Sequence, residues 1–262
     1  MSELFRLENM HVAYGSNEVV RGVNLSLERG EFSALLGLNG SGKTTILHAA
    51  CGFLPMRGTC ICAGQNCAGL HEKKRALLMS FIPQVCSLEG GRTVFEVVMM
   101  GFNAHLRLLE SPSAEQKELG MAALEKLNCS HLAHTDFGAL SQGQRQIVIL
   151  ARCIVQDAPV MLLDEPDSAL DFLNRHMVLG KIRDLIKNEN RAGLITLHDP
   201  NFAMAYCDRL LLLQNGIVGA ELDMRTASAD EVKQKLSLIY GDIELLPDRK
   251  STRLNSSHIT IS

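Results

Sequence analysis

The residues whose spacing points most directly to chemistry are Gly37-Leu38-Asn39-Gly40-Ser41-Gly42-Lys43-Thr44, a G-x-x-x-x-G-K-[ST] pattern. Each fixed position has a mechanical reason. The glycines let backbone N–H groups turn inward around a phosphate, Lys43 supplies a point charge across the β- and γ-phosphates, and Thr44 offers a hydroxyl to Mg2+. A helix opening at this point adds its positive N-terminal end. The run Met161-Leu162-Leu163-Asp164-Glu165 supplies what the loop lacks. A carboxylate ending an apolar strand is able to complete a Mg2+ shell, the role expected of Asp164. Glu165, one residue further, is placed to take a proton from an attacking water or to orient it. Two acids that merely end a strand are the bland alternative, which explains neither acid's expected closeness to a phosphate site. The expected cofactors are ATP and Mg2+.

These groups need elements to hold them. Residues 31–37 form a short apolar run that feeds the glycine-rich turn, and residues 43–53 have helix-like composition. Residues 159–164 and 192–198 carry apolar side chains on consecutive positions, as strands buried on both faces of a parallel sheet do. In open α/β sheets a ligand sits beyond the carboxyl ends of the strands, so Gly37, Asp164 and His198 are expected to converge on one crevice. Residues 5–28 alternate enough to predict antiparallel strands beside this α/β core. Between the core strands the texture changes. Residues 93–102 are apolar and Met-rich, Ser113 to Gln116 reads as a capping box, and Leu119, Ala123 and Leu127 follow at helical spacing. Residues 141–155 predict another helix. A mostly helical insert over 90–156 is therefore expected to split the core, which occupies 1–89 and 157–222, with a C-terminal extension over 223–247.

Composition bounds the reading. At 262 residues, 46% hydrophobic and 21% charged, the chain is long enough to bury a full core as one globular unit. A net charge of −3 and an isoelectric point near 6.3 argue against nucleic-acid partners, which favour a basic domain or stripe. No uncharged apolar stretch approaches the roughly 20 residues a membrane helix needs, and the start MSELFRLENM lacks a signal-peptide layout. The expectation is a cytoplasmic chain held at a membrane only through a partner. Eight cysteines, with no C-x-x-C pair between Cys51 and Cys67, are expected to be reduced and to act as small buried hydrophobes. The last fifteen residues, Asp248 to Ser262, are polar, aperiodic and similar to a reading frame of a sequencing adapter. They are expected to be a non-native tail, a native disordered tail being the alternative. Without them the chain has 23 Lys and Arg against 28 Asp and Glu.

The phosphate loop, Pro83-Gln84, Leu140-Ser141-Gln142-Gly143-Gln144, Leu163-Asp164-Glu165-Pro166, Ser168-Ala169-Leu170-Asp171 and His198-Asp199 resemble, in order and approximate spacing, the motifs of ABC-transporter nucleotide-binding domains. The resemblance runs from Leu4 to Gly219. It implies a RecA-like P-loop NTPase core with an antiparallel β subdomain and an inserted helical subdomain. It also implies a head-to-tail homodimer that sandwiches two ATP molecules, each touching the phosphate loop of one copy and Ser141–Gln144 of the other. On that basis the nucleotide-binding set is Tyr14, Gly37, Asn39, Gly40, Ser41, Gly42, Lys43, Thr44, Thr45, Ser141, Gly143, Gln144 and Asp171, with Tyr14 stacked on adenine. The implied catalytic groups are Glu165, His198 at the γ-phosphate, and Gln84, which links nucleotide state to a membrane partner. Thr44, Gln84 and Asp164 are the implied metal ligands. Taken singly, Ser141-x-x-Gln144 is also a plain capping box, Tyr14 fits a core as well as an adenine stack, and a lone histidine ending a strand is ordinarily structural.

Departures are few. Gln142 replaces the first glycine of the usual Leu-Ser-Gly-Gly-Gln, Leu38 stands where proline is common, and Asp167 where threonine is common. Residues 93–101 with Phe102-Asn103-Ala104-His105-Leu106 resemble the "TV…V…MGR-x-PHL" stretch of ATPases serving iron–siderophore, haem, cobalamin and molybdate importers, Phe102 and Ala104 departing from its Arg and Pro. The resemblance implies a motor subunit on the inner face of the cell membrane, partnered by permease subunits and, indirectly, a substrate-binding protein. An ATPase of another ABC transporter type, or a soluble one in cofactor assembly, is the alternative.

Overall fold

β1 (Glu3–Tyr14) and β2 (Asn17–Glu28) form an antiparallel hairpin joined at Gly15, where φ is +61°. Phe5, Leu7, Met10 and Val12 point inward at near-strand spacing, as the alternation in sequence predicts. β3 (Phe32–Leu36) then runs into the phosphate loop and α1 (Lys43–Ala50). β4 (Arg57–Cys62) and β5 (Gln65–Asn66) return to the hairpin and complete a four-stranded antiparallel sheet in the order β2-β1-β4-β5. The computed structural model describes residues 2–84, 91–107, 109–168, 170–246 and 258–261. Cys86, Ala169 and most of the 248–262 segment lie outside them.

After α2 (Glu72–Ala76) and β6 (Met79–Ile82) the chain enters the helical insert. α3 (Val94–Met99) begins at a capping box of Thr93 and Glu96 that the sequence reading passed over, α4 (Ala114–Lys126) at the expected box of Ser113 and Gln116, and α5 (Gln142–Gln156) at that of Ser141 and Gln144. One expected core residue is corrected. Leu119 is 53% exposed, because the buried stripe of α4 is Gly120, Ala123, Leu124 and Leu127, rotated one residue from the predicted one.

β7 (Val160–Asp164), α6 (Phe172–Asn188), β8 (Ala192–Thr196), α7 (Pro200–Tyr206), β9 (Arg209–Gln214) and β10 (Ile217–Asp223) complete the core. The second sheet has the order β10-β9-β3-β8-β7-β6, parallel except for β10. All residues of β3, β7 and β8 are buried, which explains their unbroken apolar runs. Their side chains alternate between two cores. Leu35, Leu162, Leu194 and Leu211 meet α1 and the antiparallel sheet, whereas Leu36, Leu163, Ile195 and Leu212 meet the insert and α6. α8 (Ala229–Tyr240) and the antiparallel pair β11 (Ile243–Leu246) and β12 (His258–Ile261) close the chain.

Candidate active site

The phosphate loop leaves β3 and bends back on itself before α1. Gly42 has φ +108°, a conformation a side-chain-bearing residue rarely adopts, and a Cβ on Gly37 would stand 2.5 Å from the Leu213 carbonyl oxygen. Both fixed glycines therefore have a reason in the backbone. α1 begins at Gly42 without any side-chain cap, so its first N–H groups remain available to an anion. The Ser41 hydroxyl is buried without a partner. Lys43 is buried, and its Nζ donates to the carbonyl oxygens of Gly37 at 2.8 Å and Leu38 at 3.3 Å. Burial pulls its ammonium below the ordinary lysine value, while Glu165 and Asp164 push the other way. An uncapped helix, an orphaned hydroxyl and a desolvated cation fit a polyphosphate.

The strand ends bring the acids to this loop. Thr44 Oγ1 donates to Asp164 Oδ1 at 3.0 Å, which joins the end of β7 to the first turn of α1. Hard oxygens from one hydroxyl and one carboxylate suit Mg2+, which is commonly held by one or two carboxylates together with substrate phosphates. Thr44 and Asp164 are the residues that would hold it, whereas the side-chain amide of Gln84, expected as a third ligand, is turned to Glu165. Such an ion, when bound, neutralises phosphate charge. Glu165 is buried and has φ +44°. Gln84 Nε2 donates to its Oε2 at 2.8 Å, and His198 Nε2 lies 2.7 Å from the same oxygen. Gln84 is held from the other side as well, because Gln146 Nε2 of α5 donates to its backbone oxygen at 3.3 Å. Gly37, Asp164 and His198 thus converge as the sheet rule predicts.

Tyr14, Val19, Asn39, Gly40, Gly42, Lys43, Thr44, Thr45 and Glu165 line one cleft of about 300 Å³. Tyr14, at the end of β1, is 51% exposed and thus available to stack on a planar ring. Residues 20–168, more than half of the chain, match the ABC transporter domain family. The chain belongs to the ABC transporter family. It is 34% identical over 215 residues to the molybdate import ATP-binding protein MolC of Haemophilus influenzae, covering 81% of this chain and 80% of that one. Against the hemin import ATP-binding protein HmuV of Pseudomonas aeruginosa the identity is 40% over 220 residues, covering 81% and 84%. A structure described as an inward-facing conformation of a metal-chelate type ABC transporter superposes with a TM-score of 0.83 at 27% identity, covering 99% of this chain and 97% of that one. As an ABC ATPase the chain binds and hydrolyses ATP.

Not every expected ATPase residue meets the cleft. Gly37, Ser41, Gln84, Ser141, Gly143, Gln144, Asp164, Asp171 and His198 are not among its lining residues; Gln84, Asp164 and His198 bond to the lining residues Glu165 and Thr44, whereas Ser141, Gln144 and Asp171 bond within their own helix ends. Ser141 Oγ accepts the Gln144 N–H at 3.3 Å and Gln144 Oε1 accepts the Ser141 N–H at 2.9 Å, so the segment caps its own helix. Asp171 likewise caps α6, accepting from the Asn174 backbone and side chain at 2.8 Å each. Gln142 is the first residue of α5 and has no positive φ, so nothing in the backbone demands glycine there. Two features escaped the sequence reading. Asp167 is buried against Arg175 at 3.3 Å, its carboxyl raised by burial against the pull of that guanidinium. Thr196, wholly buried, touches both Asp164 and Glu165. Its signal was a lone hydroxyl inside the apolar run 192–197.

No helix of the described residues is long and apolar enough to cross a membrane.

Proposed function

We propose that this ABC ATPase is the motor subunit of an importer for a metal chelate or related cargo, in the class of iron–siderophore, haem, cobalamin or molybdate. Two copies bind two ATP molecules at a shared interface and drive a permease on the inner face of the cell membrane, to which a substrate-binding protein delivers cargo. The observation that carries the dimer is the separation of the expected nucleotide residues. Tyr14, Asn39, Gly40, Gly42, Lys43, Thr44 and Glu165 share one cleft, while Ser141, Gly143 and Gln144 lie outside it in a self-capped helix end. A second copy brings them together. Support for the cargo class comes from the relatives named above, which serve molybdate and hemin import, and from the 93–106 stretch in α3 and the turn that follows.

In this mechanism Lys43 and the loop hold the β- and γ-phosphates, and Tyr14 carries the adenine. Glu165 orients the attacking water and takes its proton. His198 and Gln84, which both bond Glu165 Oε2, exchange that partner for the phosphate and its water when nucleotide enters. Product release reopens the pair of copies and lets the permease return. Reconstitution of this chain in vesicles with the permease encoded beside it tests the reading, with hemin, a ferric siderophore, cobalamin and molybdate supplied in turn. ATP-dependent accumulation of one of them is expected. Outward movement of cargo, or stable association with a cytosolic partner and no membrane recruitment, would favour the other ABC classes.

The same reading treats residues 248–262 as a translated adapter. A chain ending at residue 247 is expected to keep its ATP turnover within about twofold and its melting temperature within about 4 °C; loss of folding on that truncation would make the segment native.

A further inference from the structure

Thr196 ends β8, two residues before His198, and stands beside Asp164 in the parallel register of β7 and β8. Paired residues of adjacent parallel strands project from the same face, so its hydroxyl and the Asp164 carboxylate meet. Thr196 Oγ1 donates to Asp164 Oδ1 at 2.8 Å and accepts the Glu165 backbone N–H at 2.9 Å. A hydroxyl has one proton to give and lone pairs to receive, so both bonds coexist. The second bond falls on a residue whose backbone needs holding. Glu165 has φ +44°, a left-handed conformation that a side-chain-bearing residue keeps when its surroundings impose it. Thr196 is fully buried, which keeps bulk solvent from both bonds.

We propose that Thr196 is a positioning residue for ATP hydrolysis. Its hydroxyl ties the carboxylate of the metal-side acid to the backbone of the acid beside it, and so fixes where the Glu165 side chain emerges relative to Asp164. Thr196 acts through these two residues. Asp164 Oδ1 receives the hydroxyls of Thr196 and Thr44 together, so the same bond also sets the aim of Asp164 toward the first turn of α1. A valine fills the same volume and supplies neither bond, which separates the hydroxyl from simple packing. Serine keeps the hydroxyl and loses a methyl group. The inference rests on the reading of Glu165 as the catalytic carboxylate.

The test compares Thr196→Val, Thr196→Ser and Glu165→Gln in the full chain. It measures kcat, KM for ATP, the Mg2+ concentration giving half-maximal turnover, and binding of a fluorescent ATP analogue. Thr196→Val is expected to lower kcat at least tenfold, about 1.4 kcal/mol of barrier. It should raise the half-saturating Mg2+ several-fold and leave analogue affinity in the absence of Mg2+ within twofold. Thr196→Ser is expected to stay within threefold of the parent in all four. Should Thr196→Val not fold, Thr196→Ala carries the same comparison. Parent-like kcat and Mg2+ dependence in Thr196→Val, with Glu165→Gln inactive, would overturn the role of Thr196 alone. A serine variant as impaired as the valine variant would also overturn it, since packing would then outweigh the hydroxyl. Parent-like turnover in Glu165→Gln would overturn the reading of Glu165 and this inference with it.

Discussion

The N-termini of α1 and α5 are built in opposite ways, although both are candidates to face phosphate. α1 starts at a left-handed glycine with no side-chain cap, and the cation of its first turn is buried against loop carbonyls. α5 starts at a reciprocal capping box in which Ser141 and Gln144 satisfy each other's backbone. A helix end left without a cap keeps orphan donors that only a ligand or water will satisfy, whereas a capped end is stable alone. The difference teaches that the loop side depends on nucleotide for completion. The α5 side is a finished surface, and Gln142 and Gly143 at its first two positions still offer N–H groups that its own box does not use.

Breaking the loop side should have the largest effects. Glu165→Gln is expected to lower turnover by about 10²-fold to 10⁴-fold while ATP binding persists, and to trap a dimer visible by size-exclusion chromatography in Mg2+ and ATP. Continued fast turnover would remove Glu165 from its role. Lys43→Ala should weaken ATP binding by about 10²-fold, the order expected for a charge-assisted contact in a desolvated site. Titration with a fluorescent analogue reads this directly, and unchanged affinity would defeat the loop assignment. On the α5 side, Ser141→Ala should cost about 1 kcal/mol of stability from the lost cap. It should lower turnover roughly tenfold while analogue binding by the monomer stays unchanged, one lost phosphate contact being worth about 1.4 kcal/mol; parent-like turnover would leave the segment as a cap only. The smallest effect is expected of Gln142→Gly. Removing a helix former from the first turn should cost no more than about 1 kcal/mol in thermal unfolding and change turnover less than about threefold.

Much of the loop side was legible in sequence because each of its residues is fixed by a local requirement. Glycine spacing, an apolar strand on either side and an acid at a strand end all follow from neighbours in the chain, and β3, β7 and β8 fall within a residue or two of the predicted runs, whereas β6 and β9 had no predicted counterpart. The capping boxes at Ser113 and Ser141 were legible for the same reason. What was not legible depends on register between distant elements. Thr196 acquires its meaning only because β8 lies beside β7 with Asp164 opposite. Leu119 was misjudged because helical spacing gives a period without giving its phase, and the phase of α4 is set by α3 and α5.

Gln84 has a consequence that neither helix end has. Its side chain holds the Glu165 carboxylate while its backbone oxygen is held by Gln146, one turn into α5. The residue is thus a tether with one end on the Glu165 carboxylate and the other on the helix that carries Ser141. Any tilt of the insert away from the core must stretch or release one of these two bonds. A swivel of the helical layer would thus be felt at the Glu165 carboxylate inside a single chain, and under the proposed mechanism the two would be geared to each other before any second copy or membrane subunit is engaged.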